Sequence, residues 1–196
     1  MIEAAARPGQ FDAVVIGASA GGVNALAILL PALPADAPPV LVVLHVPRDR
    51  PSLLVEIFSA KCRVAVREAE DKEPIAPGTV YFAPADYHLL VEAGGTLALS
   101  ADEPVHHSRP SIDVLFESAA DVYGTRLLGI LLTGASDDGA QGLAGVRAGG
   151  GVTVVQDPTE AQVPRMVVAA IHRCAPDYVL SLERIAAMLA ALHGRG

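Results

Sequence analysis

The stretch AVVIGASAGGVNAL, residues 13–26, decides the fold. Its apolar start, Ala13 to Ile16, ends at Gly17, as a short strand buried on both faces would. From Gly21 onward, VNALAILLPALP reads as a helix broken near Pro31 and Pro34, since an interior proline lacks the N–H that the helix needs. Strand, small-residue turn and helix together form the opening unit of a parallel sheet. Working outward, the unit recurs. VLVVL, residues 40–44, is a second buried strand, ended by His45 and Pro47. A helix is expected from Pro51 to Phe58, with proline near its start where the missing N–H costs little. Arg63 to Arg67 alternates as a third strand. Leu127 to Leu132 is a strongly apolar strand, followed by a helix from Asp138 to Ala148 that closes at Gly149-Gly150-Gly151. Val152 to Val155 is another strand, and Ser181 to Leu192 a final amphipathic helix. Between the two halves, Thr79–Phe82, His88–Val91 and Thr96–Ser100 read as three short strands of an antiparallel insertion. Pro84-Ala85-Asp86 and Gly94-Gly95 supply the turns. SIDVLFESAADVY, residues 111–123, then reads as a helix with Ser111 as its N-cap. The expected architecture is α/β: a doubly wound, mainly parallel sheet with helices on both faces and a small antiparallel β insertion. Residues 1–10 are expected to form a flexible N-terminal tail and residues 11–196 one catalytic-sized domain.

Composition narrows the function classes. The 196 residues are 52% hydrophobic and 18% charged, which is too apolar for a disordered chain. Aromatics are only 4% with no Trp, so aliphatic side chains must fill the core. Mean hydropathy is high at +0.41, yet no run reaches the roughly 18 apolar residues that a spanning helix needs. MIEAAARPGQ has no basic stretch followed by an apolar one, so no signal peptide is expected. Cys62 and Cys174 have no metal-ligand spacing and suit buried thiols in a reducing, cytoplasmic compartment. A net charge of −8 argues against nucleic acid as a partner, because phosphate binding needs a basic face.

Ligands of open α/β sheets bind beyond the carboxyl ends of the strands, and three such ends carry unusual polar residues. The first, Gly17 to Gly22, has G-x-S-x-G spacing, which can lift the Ser19 hydroxyl above a sheet with backbone N–H groups beside it. The same residues also fit a glycine-rich turn with Ser19 as a helix cap, or a phosphate loop. The second is His45, either a general base for a neighbouring hydroxyl or a hydrogen-bonded rim residue. The third is TGASDDGA, residues 133–140, where Asp137 or Asp138 could orient an imidazole or simply cap the following helix. Taken singly, each plain structural reading is the simpler one. Taken together, Ser, His and Asp at three strand ends of one sheet are less easily dismissed as separate structural features.

The motifs VVIGASAGGVNAL, VVLHVP, HSRPSIDVLFESAA, LLTGASDDGAQG and VTVVQDPTEAQVP occur in this order from about Ala13 to about Leu180. In that order they resemble the catalytic domain of the chemotaxis-type protein-glutamate methylesterases. The resemblance implies a Ser-His-Asp triad on Ser19, His45 and Asp138, with Asp138 rather than Asp137 matching the family's acidic position. It implies hydrolysis of glutamate methyl esters on the cytoplasmic helices of chemoreceptors, with glutamine deamidation in some relatives. No metal and no organic cofactor are implied. Ala20 and Ala135 are the backbone N–H candidates for an oxyanion hole, and Arg109 is a candidate for positioning an acidic receptor helix. The substrate is then a protein, no nucleic acid is involved, and the chain is not expected to span a membrane. The family's receiver domain has no counterpart in the ten residues before the first strand, so control by a separate regulatory protein is expected. Three departures bear on the site: Ala20 stands where the family commonly has Thr, Ala135-Ser136 where it has Met-Gly, and Val163-Pro164 where it has Met-Pro. They keep open a binding module that retains the fold without turnover. A nucleotide-binding domain is disfavoured because no acidic residue follows at the spacing that would hold a ribose. His106 reads as a solvated loop residue, Asp86 and His88 as turn residues, His172 as part of an ordinary helix end, and Asp157 as a turn.

Overall fold

The computed structural model describes residues 9–45 and 53–194. Residues 1–8 of the expected tail, Pro47, and the Pro51-Ser52 start of the second helix lie outside the described residues. The sheet core is built from β1 (Ala13–Ala18), β2 (Val40–Leu44), β3 (Ala65–Glu68), β4 (Thr79–Phe82), β7 (Leu127–Leu131), β8 (Val152–Gln156) and β9 (Tyr178–Leu180). Their order is β3-β4-β2-β1-β7-β8-β9, and every pairing is parallel. β5 (His88–Glu92) and β6 (Thr96–Ser100) form a separate antiparallel pair. The antiparallel insertion is therefore two strands rather than three: β4 joins the main sheet between β3 and β2. Its four buried residues, TVYF, are what a two-faced parallel strand requires.

Alternation along β1 sets the two layers. Val14 and Ile16 face a core closed by α1 (Gly22–Leu29), α2 (Leu54–Ser59) and α6 (Leu182–Ala190). Ala13 and Val15 face a second core closed by α3 (Ile112–Tyr123), α4 (Ala140–Ala148) and α5 (Arg165–Cys174), with Leu89 and Leu97 from the antiparallel pair. Because β1 lies between β2 and β7, the chain reverses its winding direction at the β1–β7 junction. A crevice opens at such a switch point outside the strand ends. The turns carrying Ser19, His45 and Asp138 all leave the sheet on this side.

α3 and α4 pack closely because Gly142 presents no side chain between them. A Cβ there would stand 2.7 Å from the Phe116 Cβ and 2.9 Å from the Asp113 Cα. Alanine is the better helix former by about 1 kcal/mol, but the clash falls on backbone that cannot move cheaply. Gly142→Ala should lower stability by about 1–3 kcal/mol, read as a lower urea midpoint at unchanged m-value. A midpoint at or above that of the parent would show that the two helices do not depend on this contact.

Candidate active site

The rim is assembled on backbone hydrogen bonds that tie the three strand ends together. Ser19 follows β1 and His45 follows β2, one step beyond the Ala18–Leu44 pair of the register. The His45 N–H donates to the Ala18 carbonyl at 3.0 Å, continuing the ladder past the strand ends. The Ser19 N–H donates to the Thr133 carbonyl at 3.0 Å. Thr133 returns the bond: its hydroxyl donates to the Ala20 carbonyl at 2.9 Å and accepts the Val163 N–H at 2.9 Å. Gln156, at the end of β8, accepts the Thr133 N–H at 2.9 Å. Gly134 lies so close to Ser19 that a Cβ there would stand 2.9 Å from the Ser19 Cβ.

The cap of α1 excludes one reading of the first turn. The N-cap of α1 is Gly21, at φ 84, with no side-chain cap. Ser19 is therefore not spent as a helix cap. Its amide, turned to the Thr133 carbonyl, is also not available to a phosphate cradle.

His45 and Asp138 meet directly, with Nε2 and Oδ2 at 2.9 Å. The Asp138 carboxylate is fully buried, while the His45 side chain is 16% exposed. Three more donors converge on the carboxylate: the Ser111 hydroxyl at 2.8 Å, the Ile112 N–H at 2.7 Å and the Asp113 N–H at 3.0 Å. Burial pushes the Asp138 carboxyl up, but the hydrogen bonds from His45, Ile112 and Asp113 outweigh it and hold the group below its ordinary value. A carboxylate can only accept, so Nε2 is the donor in this bond. Asp138 does not cap its own helix. It caps α3, across the crevice.

Asp137 is different. It is exposed and pairs with the Arg165 guanidinium at 2.9 Å. Arg109 is also committed. Its guanidinium donates to the Asp86 carboxylate at 2.8 and 3.1 Å and to the Ala101 and Asp102 carbonyls at 2.8 and 3.0 Å. That set braces the loop before α3. Ala20 and Ala135 are both exposed at the rim.

Other residues behave differently from their sequence readings. Ser111 is the N-cap of α3 by position, as expected, but its hydroxyl is given to Asp138 and makes no capping bond. His88 is a buried strand residue whose Nδ1 accepts the Ser111 N–H at 3.1 Å while Nε2 meets the Glu103 carbonyl. Asp113, not singled out in the sequence, accepts the Gly139 N–H at 2.9 Å and the Gly142 N–H at 2.6 Å. An R-P-S-x-D run opening a helix was the only local hint of it. Asp157 forms the expected turn, accepting the Thr159 N–H and hydroxyl at 2.8 and 2.7 Å.

Residues 14–189 match the family profile described as CheB methylesterase. The chain belongs to the CheB methylesterase family. A protein of Leptospira interrogans, provisionally named protein-glutamate methylesterase/protein-glutamine glutaminase, is 46% identical over 93% of this chain and 95% of its own length. Protein-glutamate methylesterase/protein-glutamine glutaminase 1 of Anaeromyxobacter dehalogenans is also 46% identical, over 95% of this chain but only 54% of its own length. The fold matches the crystal structure of the Thermotoga maritima CheB methylesterase catalytic domain with a TM-score of 0.87 at 33% identity, covering 92% of this chain and 97% of that one. Among the described residues no helix is long and apolar enough to cross a membrane.

Removing the Asp138 carboxylate strands three buried donors and one imidazole. Asp138→Ala should cost about 3–5 kcal/mol of stability, against less than about 1 kcal/mol for Asp137→Ala at its exposed ion pair. Urea unfolding of both variants measures the difference, and equal losses would contradict the geometry. The Asp138 contribution is present above the ordinary value of 3.8 and is lost as pH falls through the lower folded value.

Proposed function

We propose that this protein is a serine hydrolase that cleaves glutamate γ-methyl esters on a protein substrate, with glutamine deamidation as the sister reaction. The reading is carried by the 2.9 Å bond between His45 Nε2 and Asp138 Oδ2, with Ser19 next to His45 on the neighbouring strand end. The family membership and the names of the Leptospira and Anaeromyxobacter relatives support the substrate class.

In this reading His45 Nδ1 takes the Ser19 proton while Ser19 Oγ attacks the ester carbonyl. Nε2 stays bound to Asp138, which holds the ring and stabilises the imidazolium. The two ring nitrogens thus exchange the tasks they have in the chymotrypsin arrangement. The backbone N–H groups of Ala20 and Ala135 are assigned to the oxyanion, and each such donor supplies about 2.7–4 kcal/mol. The imidazolium then protonates methoxide, which leaves as methanol. Water enters and, with Nδ1 again as base, hydrolyses the acyl-Ser19 to glutamate. With glutamine the same steps release ammonia.

A helical chemoreceptor segment bearing methylated glutamates is the substrate we propose, acting in the cytoplasm under control of a separate regulatory protein. The two free cysteines, Cys62 and Cys174, suit a reducing compartment. We take residues 11–196 as the catalytic domain.

A fluorophosphonate probe should label the protein at Ser19. Ser19→Ala should abolish labelling and methanol release from methylated receptor fragments. Loss of both in His45→Ala, and a drop of about 10⁴-fold in Asp138→Asn with little change in Asp137→Asn, are expected. A folded parent that neither labels nor releases methanol would instead identify a binding module that keeps this fold.

A further inference from the structure

We propose that Asp113 is a positioning residue for this site: its carboxylate fixes the turn that presents Asp138, and its negative charge supports protonation of the His45–Asp138 pair. The inference rests on the reading of Ser19, His45 and Asp138 as the reacting groups.

Asp113 sits in the first turn of α3 and is only 4% exposed. Oδ1 accepts the Gly139 and Gly142 N–H groups at 2.9 and 2.6 Å, and Gly139 directly follows Asp138 in the chain. The Asp113 N–H in turn donates to Asp138 Oδ1 at 3.0 Å. The two carboxylates are thus locked to each other through backbone on both sides. Oδ2 lies 3.5 Å from His106 Nε2. Both residues border a cavity of about 420 Å³ that is also lined by Asp137, Gln141 and Arg173. His106 is 58% exposed there, so a proton can reach Asp113 from solvent by this second opening.

The charges facing Asp113 are Asp138 and Asp137 from the turn before α4, His106 from the loop before α3, and Arg173 from α5 across the cavity. His88 on β5 is turned to the Ser111 N–H and the Glu103 carbonyl instead. Burial is the main cause that raises the Asp113 carboxyl, to about 6; the Asp138 charge adds to it, and the bonds from Gly142 and Gly139 and the His106 charge oppose it. The sign is opposite to that of Asp138. Between 3.8 and about 6 the folded protein takes up a proton here, so the fold is weakened as pH rises through that window. An ionised Asp113 also favours a proton on the His45–Asp138 pair.

Asp113→Asn keeps an oxygen acceptor for Gly139 and Gly142 but removes the charge. NMR of the labelled imidazole rings in the full chain should show proton uptake by the His45 ring moving to lower pH by about half a unit. The acid limb of the pH profile for fluorophosphonate modification of Ser19 should move the same way, about threefold in rate below the midpoint. A folded Asp113→Asn protein whose His45 ring titrates as in the parent overturns the proposal and leaves Asp113 a structural cap. His106→Asn is the second variant. It leaves the buried caps intact and suits the left-handed backbone at φ 49. Loss of the imidazole should hold Asp113 protonated to higher pH and so move proton uptake by the His45 ring to lower pH, as Asp113→Asn does; no movement counts equally against the proposal. Ring titration does not depend on turnover, so failure of the esterase reading would show separately, as an unlabelled parent.

Discussion

Two helices exchange carboxylates at their N-termini, and the rim is built on that exchange. α3 offers the Ile112 and Asp113 N–H groups to Asp138. α4 and the turn before it offer the Gly142 and Gly139 N–H groups to Asp113. Each helix start has unsatisfied N–H groups and a partial positive charge, and each is satisfied by an acid from the other element. The arrangement needs close helix packing, which Gly142 permits. It fixes Asp138 at 2.9 Å from His45 without relying on a flexible loop.

Two buried acids this close would repel if both relied on solvent for their charge. Their donor sets separate them. Asp138 receives the Ser111 hydroxyl, two backbone N–H groups and the His45 ring. The bonds from His45, Ile112 and Asp113 outweigh burial and hold it below its ordinary value. Asp113 receives two backbone bonds and a longer approach from His106, and burial dominates. Similar residues in one cluster thus have opposite shifts, which is how one acid can serve as a fixed anion and the other can titrate near neutrality.

Much of this was legible in the chain. Buried parallel strands are continuous apolar runs, so AVVI, VLVVL and LLGIL were visible directly. β4 was misplaced because a four-residue strand next to turn residues looks the same whether it joins a parallel sheet or a hairpin. β9, three residues of which two are half-buried or exposed, has too little apolar periodicity to stand out. The site was legible where residues follow strand ends, as with Ser19, His45 and Asp138. Asp113 was not, because a cap donated to a different helix leaves no spacing signal. The bonds of Arg109 to Asp86 and to the Ala101 and Asp102 carbonyls left no spacing signal either, because those acceptors lie in other turns.

The first turn leaves the Ser19 hydroxyl out of the helix cap. A serine at the N-cap of α1 would be the ordinary choice, and glycine there costs only a few tenths of a kcal/mol relative to it. The chain instead puts Gly21 at the cap, at φ 84, and Ser19 two residues earlier. Fixing the turn then falls to other groups: the Ser19 amide on the Thr133 carbonyl, the Thr133 hydroxyl on the Ala20 carbonyl, and Gln156 beneath Thr133. Asp138 follows the same logic, capping a helix with the carboxylate that orients His45. Structural bonds are made by backbone and by buried side chains behind the rim, which leaves the half-buried Ser19 held in place without its hydroxyl being used as the helix cap.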